Sequence, residues 1–335
     1  MSNTKNVASL SLDLDDMWTY LKTHGDDAWE SYPSYLDYGV PRILDFLDKH
    51  DTKITFFIVA QDAAFDYNQP VLRDIAERGH DIGSHTFNHD PWLHIYTEKE
   101  VHEEFAKAEH FIEEATGVKP TGFRGPGFSF SDTVLKVLKD RGYVYDASTF
   151  PNILNPLARA YFLWTSNMTK EERETRKGLF GSWKDGLRPN KPYNWDINGE
   201  KLMEIPVTTM PLFKVPIHAS YVLFLSGYSH ALAMFYFRMA IAMCKLTGTQ
   251  PSILLHPLDF LGSDDTDALS FFPAMRIPSE KKIRVMDDVF KMLKKHYRCV
   301  TMKEHKEAIE QGTRKLSTMS IQKAKASVET APVHG

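Results

Sequence analysis

Residues 7–16 read VASLSLDLDD. Apolar side chains alternate with small or polar ones over 7–14, a period of two that predicts a β-strand, and the strand runs out into Asp13, Asp15 and Asp16. Three carboxylates in four positions at the end of a strand need a reason. Further units of the same kind follow. TKITFFIVA (52–60) reads as a buried strand after the helical spacing of YGVPRILDFLDKH (38–50). QPVLRDIAERGH (69–80) is a helix closed by Gly79, DIGSHT (81–86) a third strand, and TEKEVHEEFAKAEHFIEEATG (97–117) an amphipathic helix ending at Gly117. TGFRGPG (121–127) is a strand running into a loop, followed by the helix SDTVLKVLKDRG (131–142) and a short strand around YVYD (143–146). KLMEIPVT (201–208) and PSILLHP (251–257) are later strands, and SEKKIRVMDDVFKMLKKH (279–296) is a late helix. Strand–helix units in this rhythm predict an α/β fold, a parallel sheet covered by helices and either open or closed into a barrel.

The chain has 335 residues, 42% hydrophobic and 25% charged, enough core for one large α/β domain. A net charge of −4 and the lack of a basic stripe interleaved with aromatics argue against nucleic acid as a partner. Cys244 and Cys299 lack ligand spacing and read as reduced core residues. The N-terminus has no basic segment followed by an apolar one, so we expect no signal peptide and a cytoplasmic protein. Residues 151–200 break the rhythm as a polar insertion after strand five, crowded by Lys170, Arg173, Arg176, Lys177, Lys184 and Arg188. That cluster is either a solvated loop or a phosphate-binding lid. From Gly312 onward the chain is small, polar and aperiodic, which predicts a disordered tail after a catalytic domain spanning 1–311.

In a βα architecture functional side chains gather at the C-terminal ends of strands, and the polar residues of this sequence fall there. Asp13, Asp15 and Asp16 close strand one, His85 and His89 close strand three, Arg124 closes strand four, Asp146 the next, and His256 closes SILLHP. LDLDD, HTFNH, RGPG, YDAST and LLHP come in the order, and with roughly the separations, of five motifs of a known group. The chain resembles the polysaccharide deacetylases (NodB-homology, carbohydrate esterase family 4), strongly over about 5–150 and loosely over 200–310. The resemblance implies a distorted (β/α) barrel and removal of acyl groups from amino sugars with a divalent metal. Carried over position by position, it implies Asp15 as general base and Asp16, His85 and His89 as metal ligands. Arg124 would hold the base, His256 would be the general acid, and Asp146, on a looser match, would orient His256. An Asp–His–His set suits Zn²⁺, with Co²⁺ or Ni²⁺ as alternatives.

The residue types fit amide hydrolysis on physical grounds as well. The reaction needs a nucleophilic water, a sink for oxyanion charge and a proton for the leaving nitrogen; a bound divalent metal lowers the pKa of its water from about 15.7 to roughly 7. Two departures from the pattern reshape the sugar subsite: Met17 stands where a glycine commonly follows the aspartates, and Gly127 where an aromatic follows the proline. The expected substrate is therefore an N-acylated sugar or another small amide, soluble or lipid-linked, rather than a wall polymer. The alternatives are a deformylase or cyclic-amide hydrolase on the same scaffold, and a non-catalytic carbohydrate- or lipid-binding module.

One segment stands apart. Residues 218–246, HASYVLFLSGYSHALAMFYFRMAIAMCKL, lie in a run with no Asp, Glu, Lys or Arg between Lys214 and Arg238. Ser226 to His230 interrupt it midway, which disfavours a spanning helix. Three readings remain for it: a buried barrel helix, a self-association surface that would make the protein an oligomer, or a hairpin docking on the inner membrane face.

Overall fold

The computed structural model of the chain describes residues 6–157, 160, 183–313 and 315–320. Among the described residues ten strands form one sheet: β1 (Val7–Leu14), β2 (Thr55–Ile58), β3 (Asp81–Ser84), β4 (Gly122–Phe123), β5 (Tyr145–Asp146), β6 (Tyr193–Ile197), β7 (Glu200–Glu204), β8 (Ser252–Leu255), β9 (Arg298–Val300) and β10 (Thr318–Ser320). The helices are α1 (Met17–His24), α2 (Leu36–Lys49), α3 (Ala60–Ala63), α4 (Gln69–Glu77), α5 (Glu98–Thr116), α6 (Asp132–Asp140), α7 (Ala219–Tyr228), α8 (His230–Thr247), α9 (Ser279–His296) and α10 (Met302–Gln311).

The strand order is β10-β6-β7-β5-β4-β3-β2-β1-β8, with β9 also on β1, and every pair is parallel except β6–β7. This is the mostly parallel α/β sheet that the alternating units predict. Past β7, Thr208 N donates to Ser252 O (2.9 Å), so the two sides of the curved sheet meet beside β8. Large rings fill the space beneath. A Cβ on Gly83 would lie 2.5 Å from the Phe57 ring, and one on Gly122 2.0 Å from Tyr145, so glycine at both positions makes room for them.

Register sets the site. Leu12 pairs with Leu255, Ser84 with Phe123 and Phe123 with Asp146, so one step beyond these rungs stand Asp13 beside His256, and Arg124 between His85 and Ala147.

Two organisational expectations change. The insertion expected over 151–200 closes in a strand: β6 turns into β7 through Asn198 (φ 54°) and Gly199 (φ 91°), the left-handed pair that an Asn-Gly hairpin requires. The tail expected to be disordered from Gly312 contributes β10, which runs parallel to β6, while 321–335 lie outside the described residues. Of the cations in the insertion, Lys170, Arg173, Arg176 and Lys177 also lie outside them. Arg188 is already engaged: its Nε donates to Asp185 (3.1 Å) and its guanidinium lies over Phe130 and Trp195. No helix among the described residues is long and apolar enough to cross a membrane.

Candidate active site

The two-residue alternation of β1 carries on past its end. Arg124, fully buried, donates from Nη1 to Asp13 Oδ1 (2.6 Å) and from Nε to Ala147 O (3.0 Å). Asp15, two residues on, faces His89 Nε2 at 3.1 Å and His85 Nε2 at 3.4 Å. The donor atoms of Asp15, His85 and His89 all lie within 4.8 Å of one another, and all three side chains are buried. His85 Nδ1 sits 2.7 Å from Arg124 O; donating there leaves Nε2 with its lone pair free, the tautomer a ligating imidazole uses.

Burial alone would raise the Asp15 carboxyl, but the two histidines outweigh it and hold it well below the usual carboxylate range. The same burial depresses His89, whereas Asp13 and Asp15 overcome it at His85 and raise that ring. The contacts in this group are close but not aligned as hydrogen bonds. Asp15 Oδ1 and both ring nitrogens of His89 are buried without a hydrogen-bond partner. Buried polar atoms converging on one point without satisfying each other are what a shared cation would resolve, and one carboxylate with two imidazoles fits a Zn²⁺-type ion.

The sequence reading paired these roles differently. Asp16, expected as the ligand, is turned away: its Oδ1 accepts from Met17 N (2.7 Å) and Tyr35 N (3.0 Å), capping α1. Burial pushes its carboxyl up to about 7. Asp15, expected as the base, stands with the histidines, and Arg124, expected to hold it, holds Asp13. The cause is the pleat. Asp13 and Asp15 share one face because alternate residues do, while Asp16 lies where the chain bends into α1.

The loop carrying the histidines is strained. Thr86 (φ 67°) and His89 (φ 53°) both sit in the left-handed region, which costs of order 1 kcal/mol or more for each such non-glycine residue. Glu104, buried on α5, restrains it by accepting from Phe87 N (2.9 Å), Asn88 N (2.6 Å) and Asn88 Nδ2 (2.6 Å). Lys22 reaches from α1 to Asn88 O and Asp90 Oδ1 (2.8 Å each), packed among Trp18, Trp29 and Trp92. Sequence reasoning missed Glu104, yet a signal existed: it lies within the apolar stripe of Val101, Phe105 and Ala108.

His256, on the rung of Asp13, has Nδ1 3.3 Å from Ser220 Oγ, and Ser220 donates to Asp259 Oδ1 (2.7 Å). Asp259 Oδ2 in turn accepts from His256 N (2.8 Å). Asp146, expected to orient His256, points elsewhere. Its Oδ1 takes Ser148 N (3.1 Å) and Ser148 Oγ (2.5 Å), and it is buried against Glu204, which accepts from Thr149 and Trp195. Ser148 Oγ also accepts from Gly125 N (2.8 Å), so this acid pair shapes the 147–149 loop that Arg124 leans on. His218 lies 6.3 Å from His256, ring centre to ring centre, and burial holds it down at about 3, neutral.

Residues 9–145 match the sequence profile described as polysaccharide deacetylase. Over that stretch the chain is similar to the polysaccharide deacetylases. A peptidoglycan deacetylase of Helicobacter pylori is 25% identical over 154 residues, 45% of this chain and 52% of that protein. A peptidoglycan-N-acetylglucosamine deacetylase of Bacillus cereus is 32% identical over 104 residues, 31% of this chain and 37% of that one. This chain thus spans about half the length, or less, of these relatives. The crystal structure of a candidate polysaccharide deacetylase from Mycobacterium smegmatis superposes over 95% of this chain and 96% of its own, with 19% identity and a TM-score of 0.59, a likeness of fold.

Proposed function

We propose that this polysaccharide deacetylase homologue is a metal-dependent hydrolase that removes an N-linked acyl group, acetyl first among candidates, from an amino sugar or sugar-like amide. The observation that carries this reading is the pairing of two separate constellations at one sheet edge. Asp15, His85 and His89 converge with unsatisfied donor atoms, and beside them Asp13 is held by a buried arginine.

Asp15, His85 and His89 would hold the metal, and Zn²⁺ is the ion whose donor preferences they meet best. When bound, such an ion acidifies a water and polarises the amide carbonyl. Asp13 is the general base in this scheme. Arg124 fixes its Oδ1, leaving Oδ2 to take the proton of the attacking water. His256 is the general acid: Ser220 and Asp259 secure the Nδ1 side, which leaves Nε2 to hand a proton to the departing nitrogen. We place the work in the cytoplasm, on a soluble or lipid-linked sugar, in keeping with two cysteines that form no disulfide.

The test is to load the purified chain with zinc and offer N-acetylated and N-formylated amino sugars. Proton NMR then identifies the carboxylic acid set free. We expect acetate or formate, and a His256→Ala variant whose kcat is lower by about two to four orders of magnitude. Free acid produced equally by wild type and His256→Ala would remove this histidine from the chemistry. No acid from any substrate would contradict the hydrolase reading.

A further inference from the structure

Most helices here bury one face and leave the other polar; α8 does not. Leu232, Phe235, Met239, Ala242 and Leu246 follow each other at spacings of three and four, a continuous apolar seam along one side of a helix. That seam faces out. Leu232 is 47% exposed, Phe235 60%, Met239 44% and Leu246 83%, and α7 extends it with Tyr228 at 75%. Beside it stands the hairpin whose tip carries Leu212 and Phe213, 76% and 59% exposed. Tyr236 of α8 ties down that hairpin by donating to Pro216 O (2.6 Å). Two residues after Pro216 comes His218, next to the candidate acid His256.

Charge decides what would cover this surface. From residue 205 to 258 the sequence has no Asp or Glu, while Lys214, Arg238 and Lys245 are present. Arg238 and Lys245 are exposed and seven residues apart, so they form a basic column along one edge of the seam. A second copy packed antiparallel would bring that column against itself, and a parallel copy would bring it against Tyr236 and Met243. Neither arrangement supplies an acidic partner from the hairpin. An apolar seam edged by long basic side chains matches instead an interface whose interior is hydrocarbon and whose surface is anionic.

We propose that α7, α8 and the 209–216 hairpin form a surface that docks on anionic lipid membranes. The docking is a binding event of the surface and stands whether or not the site hydrolyses an amide. Only its consequence rests on the hydrolase reading: the docked enzyme would meet amino sugars carried on lipid anchors.

The experiment is flotation of the zinc-loaded full chain with vesicles and no substrate. Vesicles of equal parts phosphatidylcholine and phosphatidylglycerol should carry the protein up the gradient; phosphatidylcholine alone should not, and salt should release part of the bound protein. The double variants Phe235→Glu, Leu246→Glu and Arg238→Glu, Lys245→Glu should each bind about tenfold or more weakly. All of these positions are exposed, and an unchanged circular dichroism spectrum would certify the fold of each variant. Wild type that stays at the bottom with anionic vesicles overturns the proposal, as do folded variants that float like wild type. So does a stable dimer that Phe235→Glu, Leu246→Glu dissolves, for then a second copy covers the seam.

Discussion

Asp13 and Asp15, one leucine apart, divide the site between them. Asp13 belongs to the arginine side, Asp15 to the histidine side, and a side chain one position off reaches neither. The sequence displayed all three aspartates and both histidines, and the fold brings Asp13, Asp15, His85 and His89 to one edge of the sheet. The sequence reading treated Asp15 and Asp16 as a pair, because adjacent carboxylates look like a unit in one dimension. The pleat makes the unit i, i+2. The misreading of Asp146 has a similar origin: what touches His256 is decided by Ser220, far away in the chain, and no local pattern announces it. If Asp13 is the base, Asp13→Asn keeps an oxygen for Arg124 Nη1 and loses only the proton acceptor. We expect kcat to fall by about two to four orders of magnitude with the metal retained and KM little changed, measured by steady-state acid release. Turnover near wild type would return the base role to another group.

At the scale of elements, the loop between β3 and α5 is the costly part, with two non-glycine residues in left-handed backbone. Glu104 makes that shape tenable through three hydrogen bonds from Phe87 and Asn88. Glu104→Ala strands three half-buried donors, so urea unfolding should show a loss of about 1 to 3 kcal/mol, and zinc affinity should drop roughly 10- to 100-fold as the histidines lose their frame. Glu104→Gln should recover most of both, since Asn88 can turn its amide over to meet the new one. Equal behaviour of the two variants would deny Glu104 this role. The strands and long helices were readable from periodicity because each buries a continuous face. β6, β9 and β10 were not: the first hides in a polar stretch and betrays itself only through Asn198-Gly199, and the other two are three residues long and stabilised by what they pair with.

Across the whole molecule, several buried acids make stability depend on pH, and Asp146 with Glu204 is the clearest case. Burial raises both, Glu204 well above its usual 4.5, so the folded pair retains a proton that the unfolded chain gives up. Unfolding then releases a proton, and stability must fall as pH rises from the ordinary carboxyl range towards the pair's own pKa, by up to about 1.4 kcal/mol per pH unit. Asp146→Asn removes the need for the shared proton. Its urea stability should decline less than that of wild type between about pH 5 and about pH 7, and an equal decline would mean the pair is not the source. The central claim, however, is which carboxylate serves the metal, and one measurement reaches it directly: zinc per chain after gel filtration, for wild type, Asp15→Asn and Asp16→Asn. The account predicts about one zinc in wild type and in Asp16→Asn, whose asparagine still caps α1, and almost none in Asp15→Asn. Zinc lost from Asp16→Asn and kept by Asp15→Asn would contradict it.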